Sequence, residues 1–346
     1  MMWPRTAPRC IAPAALGRAL TLGLLLYGCA TPVTPPIRVD PKAIDQEVRL
    51  ERELRFKMAY VQQQRVLGVA FPLLTGAVKF CKDATHYVTG MRCLNRRSFE
   101  RGSAAISVLG LTDDLKITTV IPGSPVDLAG VQPGDFVLAV DGSVTPRGEG
   151  ATEALQQKLE ESVRDGKSFS MTLGRNEAQR NVVVAPVKAC AFSVTVVDGD
   201  VVNAFADGTT ITVTVGMLRF IQDDTELAFV ISHDLGHNLI KHLAAKSGNE
   251  VSDLLATIGF TKLPLDPDSP ADELEAEADY VGLYLMASAG GQIDRAPQFW
   301  RRMGATYPSS NKQAFGASHP SDWYRMIAMQ TAVRQITRLI DEHRRR

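Results

Sequence analysis

Leu227-Ala228-Phe229-Val230-Ile231-Ser232-His233-Asp234-Leu235-Gly236-His237-Asn238-Leu239-Ile240-Lys241-His242-Leu243 is the stretch on which the fold turns. Apolar residues fill most of its positions, as they do in a helix buried on nearly every side. Asp223 with Glu226 three residues later supplies a capping box, so a helix is predicted from about Leu227 to Leu243. His233 and His237 stand four residues apart, about 400° round such a helix. They project within about 40° of each other and can share one metal ion. Neutral imidazoles suit zinc, and an acid beside the first histidine is where a metal-dependent peptidase carries its proton acceptor. That acid is normally glutamate, and here it is Asp234.

Two histidines alone do not complete a catalytic metal site, which takes three protein ligands. His242 lies five residues beyond His237, about 140° off the metal face, and reads as a surface or packing residue. The downstream run Glu273-Leu274-Glu275-Ala276-Glu277-Ala278-Asp279-Tyr280 is the better source of a third ligand, with Glu275 and Asp279 on one helix face.

Several segments occur together in a characteristic order: Asn203-Ala204-Phe205-Ala206-Asp207-Gly208, Gly216-Met217-Leu218, Glu226-Leu227-Ala228, His233 to His237, and Glu275-Ala276-Glu277-Ala278-Asp279. In this order they resemble the CAAX-prenyl-endopeptidase-like (HtpX-like) zinc metallopeptidases, family M forty-eight among the gluzincins. The resemblance covers roughly residues 190–340. It implies one zinc ion per chain held by His233, His237 and Glu275, with Asp279 hydrogen-bonded to a ligand histidine. It also implies Asp234 as the base and Asn203, Ala204 and Phe205 as the edge strand on which substrate is laid. Glu273 and Glu277 read as a solvated face. Ser318-His319-Pro320 followed by Arg325 resembles the family's returning segment, in which His319 serves as a fourth ligand that leaves for catalysis or as an oxyanion stabiliser. Asp234 departs from the family pattern. Its stem is one methylene shorter, which puts turnover in question and not metal binding. A helix closes the chain at 321–342.

Upstream, Val120 to Gly142 runs as strand, Gly-Ser-Pro helix start, Ala-Gly turn, Pro-Gly-Asp turn, strand and Asp-Gly hairpin. It resembles a PDZ domain of the envelope-protease type. Pro125 can open a short helix, Gly130 can end it, and Asp141-Gly142 suits a hairpin turn. A helix is expected over Ala151 to Val163, with closing strands at Phe169–Leu173 and Asn181–Val184. The resemblance implies capture of peptides, including chain ends, with Leu109, Gly110 and Leu111 in the carboxylate-binding loop. Before the PDZ segment, Val48, Leu54, Met58, Val61 and Val66 recur at helical spacing and predict an amphipathic helix packed on the body. Residues 79–104 read as irregular.

The chain opens with Arg5, Arg9 and Arg18 and an apolar stretch from Ala19 to Leu26. Leu26-Tyr27-Gly28-Cys29 resembles a bacterial lipobox, which implies cleavage after Gly28 and lipidation of Cys29. The expected parts are a signal peptide at 1–28, a proline-rich tether at 29–41, a helical lead-in at 42–104, a PDZ domain at 105–188 and a metallopeptidase domain at 189–346. The fold class is α+β, a helix-rich gluzincin domain with a small sheet preceded by a β-rich PDZ domain. The expected place is the bacterial cell envelope, lipid-anchored at the outer membrane and facing the periplasm.

All 346 residues carry 38 basic and 38 acidic side chains; without the first 28 the balance is 35 against 38, a net charge of −3. A nucleic-acid partner calls for a basic excess, and none is present. Hydrophobic residues at 45% and charged ones at 22% exclude a disordered chain. Cys81, Cys93 and Cys190 remain after the lipobox. An oxidising envelope permits a disulfide; Cys81 to Cys93 is the shortest closure and Cys190 is an equal alternative partner. The expected activity is endopeptidase cleavage of envelope polypeptides, with a zinc-binding scaffold that holds clients without cutting them as the alternative.

Overall fold

Ser124 opens the short helix α3 (Pro125–Leu128) by accepting from the Asp127 amide, with Pro125 in the first turn, as the sequence predicts. Asp141 and Gly142 both take positive φ, 47° and 73°, and turn β4 (Phe136–Val140) into β5 (Ser143–Val144). That is the geometry for which Asp-Gly is chosen. These devices belong to a six-stranded antiparallel sheet of order β2-β3-β4-β6-β7, with β5 paired to β4. Its other members are β2 (Met91–Leu94), β3 (Lys116–Val120), β6 (Phe169–Arg175) and β7 (Ala178–Val184). The helix α4 (Ala151–Val163) covers one face, and Leu155 meets Ile117, Val137, Val140, Met171 and Leu173 in a core separate from the rest of the chain.

This computed structural model describes residues 39–246, 248–260, 263, 271–307 and 323–345. The signal segment with Cys29, most of the tether, and Ser318-His319-Pro320 lie outside the described residues. The chain divides into two compact units, Met1–Asp45 and Gln46–Arg346. Of the first, residues 39–45 are described and hold the start of α1 (Pro41–Gly76). No described helix is long and apolar enough to cross a membrane.

Two expectations about the lead-in need correction. The apolar residues Val48, Leu54, Met58 and Val61 of α1 are exposed; burial begins at Val66 and continues through Ala70, Leu73 and Phe80. Nor are residues 79–104 irregular. After a 3-10 turn at Val78–Phe80 come β1 (Thr85–Val88) and β2, the latter an edge strand of the PDZ sheet. The PDZ fold therefore reaches back before residue 105, followed by α2 (Ala104–Leu109). β1 pairs antiparallel with β8 (Val187–Cys190), and a disulfide joins Cys81 to Cys190 while Cys93 stays free.

The second core is built on a three-stranded sheet of order β10-β11-β9. β9 (Ser193–Val197) runs parallel to β11 (Thr210–Thr214), and β10 (Ala204–Ala206) pairs antiparallel with β11 at the other edge. Against it lie α5 (Val215–Phe220) and α6 (Asp224–Ala244); α7 (Gly248–Thr257), α8 (Ala271–Ser288) and α9 (Ala296–Thr306) pack on α6, and α10 (Trp323–Arg345) packs on α8 and α9. One apolar cluster runs through these helices, the sheet and the second half of α1.

One stretch of α1, residues 60–65, bonds to both halves of this unit. The Tyr60 hydroxyl donates to the Thr118 carbonyl, and Gln64 Nε2 donates to Thr119 Oγ1 at 3.0 Å, both on β3. Gln63 donates to the Val194 carbonyl at 3.3 Å and accepts from the Val196 amide at 2.9 Å, on β9. Arg65 pairs with Asp224 at the start of α6 at 2.7 Å.

Candidate metal centre

Asp223 caps α6 by accepting from the amides of Thr225 and Glu226, both at 3.0 Å. From that start the helix runs buried on most sides, and Gly236 lies where α8 crosses it. A Cβ on Gly236 would stand 2.7 Å from the Ala278 carbonyl oxygen; one on Gly282 would stand 2.6 Å from that of Ser232 and 2.8 Å from the His233 amide nitrogen. Such distances are below any real Cβ contact, so the two glycines let the backbones touch. That closeness brings the histidines of α6 against the acids of α8.

His233, His237 and Glu275 each offer a ligand atom, and the three atoms lie within 4.8 Å of one another. His233 Nε2 is 3.1 Å from His237 Nε2, and Glu275 is 3.5 Å from the first and 3.3 Å from the second. Two ligands about 2.0–2.1 Å from a tetrahedral ion stand roughly 3.3–3.4 Å apart; the imidazole pair is close to that spacing, and Glu275 turns Oε2 towards His233 and Oε1 towards His237, within reach of one ion. His233 Nδ1 lies 2.8 Å from Asp279 Oδ1, which puts the ring proton there and leaves Nε2 as the ligand atom. His237 keeps 24% of its side chain exposed while His233 is sealed, so the site has one open side.

The field at the site calls for a cation. Burial, the largest single influence on His233, lowers its pKa, but Asp279 and Glu275 together overcome it and raise the imidazole to about 9. A proton or a divalent ion answers the same negative field. His237 moves the other way, lowered by burial against its hydrogen bond to Glu275. Asp234 is fully buried, and neither of its carboxylate oxygens has a hydrogen-bond partner among the described residues. Burial raises its pKa to about 7; His233 and Arg325 oppose the rise and Glu275 adds to it. Both oxygens of Asp234 are thus sealed from solvent and left without a partner among the described residues, next in sequence to His233.

The sequence placed Arg325 only in a returning segment. The structure stacks its guanidinium 3.8 Å over the Trp300 ring and binds it twice to Asp279, at 2.7 and 2.8 Å, and once to Glu275 at 3.0 Å. It therefore holds Glu275 and Asp279 in place. The resemblance brings the Arg325 segment back towards the metal but gives the residue no contact; the contacts themselves follow from α10 packing on α8.

The other expected residues separate. Ala204 and Phe205 lie on β10, at the sheet edge beside α6, with Asn203 just before it. His242 packs edge-on against Phe192 and lies 3.3 Å from Asp83, away from the ligands, as expected of a packing residue. His319 lies outside the described residues.

Leu109, Gly110 and Leu111 do not form a peptide loop. Ser103 caps α2, Gly110 ends it in the left-handed region, and Lys116 Nζ donates to the carbonyls of Leu109 and Gly110. The cleft of this domain, about 710 Å³, lies instead along β2, with Leu155 and Leu159 of α4 on one wall and Leu67 and Phe71 of α1 on another.

Residues 175–266 match the family model described as Peptidase family M48, and residues 116–164 match that of a PDZ domain. A metalloendopeptidase OMA1, mitochondrial, of Danio rerio is 32% identical over 192 residues, which is 48% of this chain and 39% of that protein. A mitochondrial metalloendopeptidase OMA1 of Arabidopsis thaliana is 26% identical over 195 residues, with the same two shares, 48% and 39%. The chain thus spans 39% of the length of these curated relatives. Among solved structures it is similar to an HtrA-type protease AlgW with decapeptide, at 19% identity and a TM-score of 0.23, covering 30% of each chain.

Proposed function

We propose that this chain, which joins an M48 peptidase region to a PDZ domain, is a zinc metalloendopeptidase with one zinc ion per chain. The observation that carries the reading is the convergence of His233 Nε2, His237 Nε2 and a Glu275 carboxylate oxygen within 4.8 Å of one another, with Asp279 on the far side of the first ring. Zinc, when bound, supplies a Lewis acid for the scissile carbonyl and for the attacking water. Asp279 and Arg325 keep His233 and Glu275 oriented. Asp234 takes the proton of the water and returns it to the leaving amine. The side of β10 that carries no strand among the described residues lays the substrate out as an added strand.

Substrates on this reading are polypeptides of the bacterial envelope, with the protein anchored at the outer membrane through a lipidated Cys29 and facing the periplasm. The PDZ domain captures peptide ends in the cleft along β2. His319 joins Asp234 at the site during the reaction. One observation favours a second reading, a zinc-holding scaffold that binds clients without cutting: the acid beside His233 is a methylene short of the family's glutamate.

The deciding experiment measures zinc content and casein cleavage for the wild-type protein and His233→Ala. The peptidase reading expects close to one equivalent of zinc and cleavage in the wild type, and loss of both in the variant. Wild-type protein that holds zinc yet cuts no better than the variant leaves the scaffold reading.

A further inference from the structure

The helix that carries the two histidines also grips the turn of the hairpin that carries the edge strand. Asn238, the residue after the ligand His237, is fully buried, and its Oδ1 accepts from the Gly208 amide at 2.6 Å. Its Nδ2 has no partner among the described residues, so the bond to Gly208 is the one polar use of that amide there. Lys241, four residues past His237, donates through Nζ to the Asp207 carbonyl. At that spacing Lys241 lies within about 40° of His237 on the helix, one turn further along the metal face. Gly208 takes φ +108°, open to glycine alone, and a Cβ there would meet the Lys241 side chain at 3.0–3.2 Å. The turn is further stapled by Asp207 Oδ1, which accepts from the amides of Thr209 and Thr210 at 2.7 and 2.8 Å.

The hairpin needs such an anchor. β10 has three residues, pairs with β11 alone and has no strand on its other side among the described residues. Ala204 is buried against α6, but a three-residue edge strand is short, and the turn beyond it is held by Asn238 and Lys241. We infer that Asn238 and Lys241 are positioning residues that fix the β10 edge at a set place beside His233 and His237, so that a polypeptide added to that edge is held for the metal site. This rests on the peptidase reading for its purpose, but the anchoring can be measured without turnover.

The test compares wild-type protein with Asn238→Leu, Lys241→Met and the double variant. Lys241→Met changes an exposed side chain and leaves folding intact. The probe is a fluorescein-labelled casein peptide amidated at its C-terminus, which gives the PDZ domain no carboxylate to hold; binding is read by anisotropy and zinc affinity by chelator competition. Loss of both pins is expected to weaken peptide binding roughly ten-fold and to speed amide exchange at Ala204 to Thr209, with zinc affinity unchanged. Where the wild type cleaves, the loss appears in KM more than in kcat. Unchanged peptide binding in the double variant overturns the inference, as does a wild type that binds zinc but no peptide. A wild type that binds peptide through the pinned edge and cuts nothing leaves the inference standing while the peptidase reading falls.

Discussion

Asp234 and Arg325 show how differently single residues can be read. The position of Asp234 was legible because a helix fixes the angle between His233, Asp234 and His237, whatever the rest of the chain does. Its chemistry follows from the structure: both oxygens are buried and unbonded among the described residues. Asp234→Asn keeps the shape and removes the proton acceptor, so casein cleavage is expected to fall about 10²–10⁴-fold with zinc content unchanged. Asp234→Glu restores the missing reach, and faster cleavage than wild type is expected; a slower variant would show that this site has been rebuilt around the shorter acid. Arg325 was not legible as a site residue, since its contacts with Asp279 and Glu275 exist only once α10 has packed on α8. Arg325→Met removes the guanidinium, and with it the stack on Trp300 and the bonds to Asp279 and Glu275. A drop in zinc affinity of roughly 10–100-fold is expected by chelator competition, the usual effect of losing an outer partner of a metal ligand; an unchanged affinity would mean the guanidinium only balances charge.

The crossing of α6 and α8 is the element on which the ligand spacing depends, and two glycines permit it. Gly236→Ala puts a methyl group against the Ala278 carbonyl, where backbone and not a flexible side chain must give way. The expected outcome is a loss of about 1–3 kcal/mol in denaturant unfolding, together with weaker zinc binding as Glu275 retreats from the histidines. Stability lost with zinc affinity kept would show that the helices part away from the ligands. α4 and α6 were legible as elements because burial on a helix repeats along the local sequence: Ala151 to Val163 was expected and observed with the same bounds. β1 and β2 escaped for the opposite reason. Each has four residues, few of them fully buried, and β1 finds its partner β8 about a hundred residues later. In α1 the periodicity was correctly read as a helix, yet it said nothing about which apolar residues find a neighbour.

Across the folded unit from Gln46 onward, the PDZ sheet is an excursion between Cys81 and Cys190. The disulfide closes that excursion at its base, where the 3-10 turn at Val78–Phe80, β1 and β8 meet. Three cysteines left the pairing open in the sequence, and the choice of Cys190 over Cys93 was not readable because it depends on β1 pairing with β8. The same connection ties the end of α1 to the start of the three-stranded sheet, while Tyr60, Gln63 and Gln64 bond one turn of α1 to β3 and β9. Opening the bond therefore frees a loop with a sequence separation of 109 residues in the unfolded chain without removing any of those hydrogen bonds. The chain-entropy argument gives an upper figure of about 4.7 kcal/mol for a loop of that size, and measured losses run about 2–5 kcal/mol. Cys81→Ser with Cys190→Ser should lower the thermal midpoint substantially, and a reductant should do the same to the wild type and nothing further to the double variant. Zinc content at low temperature should survive, since the ligands lie on α6 and α8, in the core that the helices share. Zinc lost together with the disulfide would mean that α1 and β9 hold the metal site open, and that the two halves of the molecule fold as one.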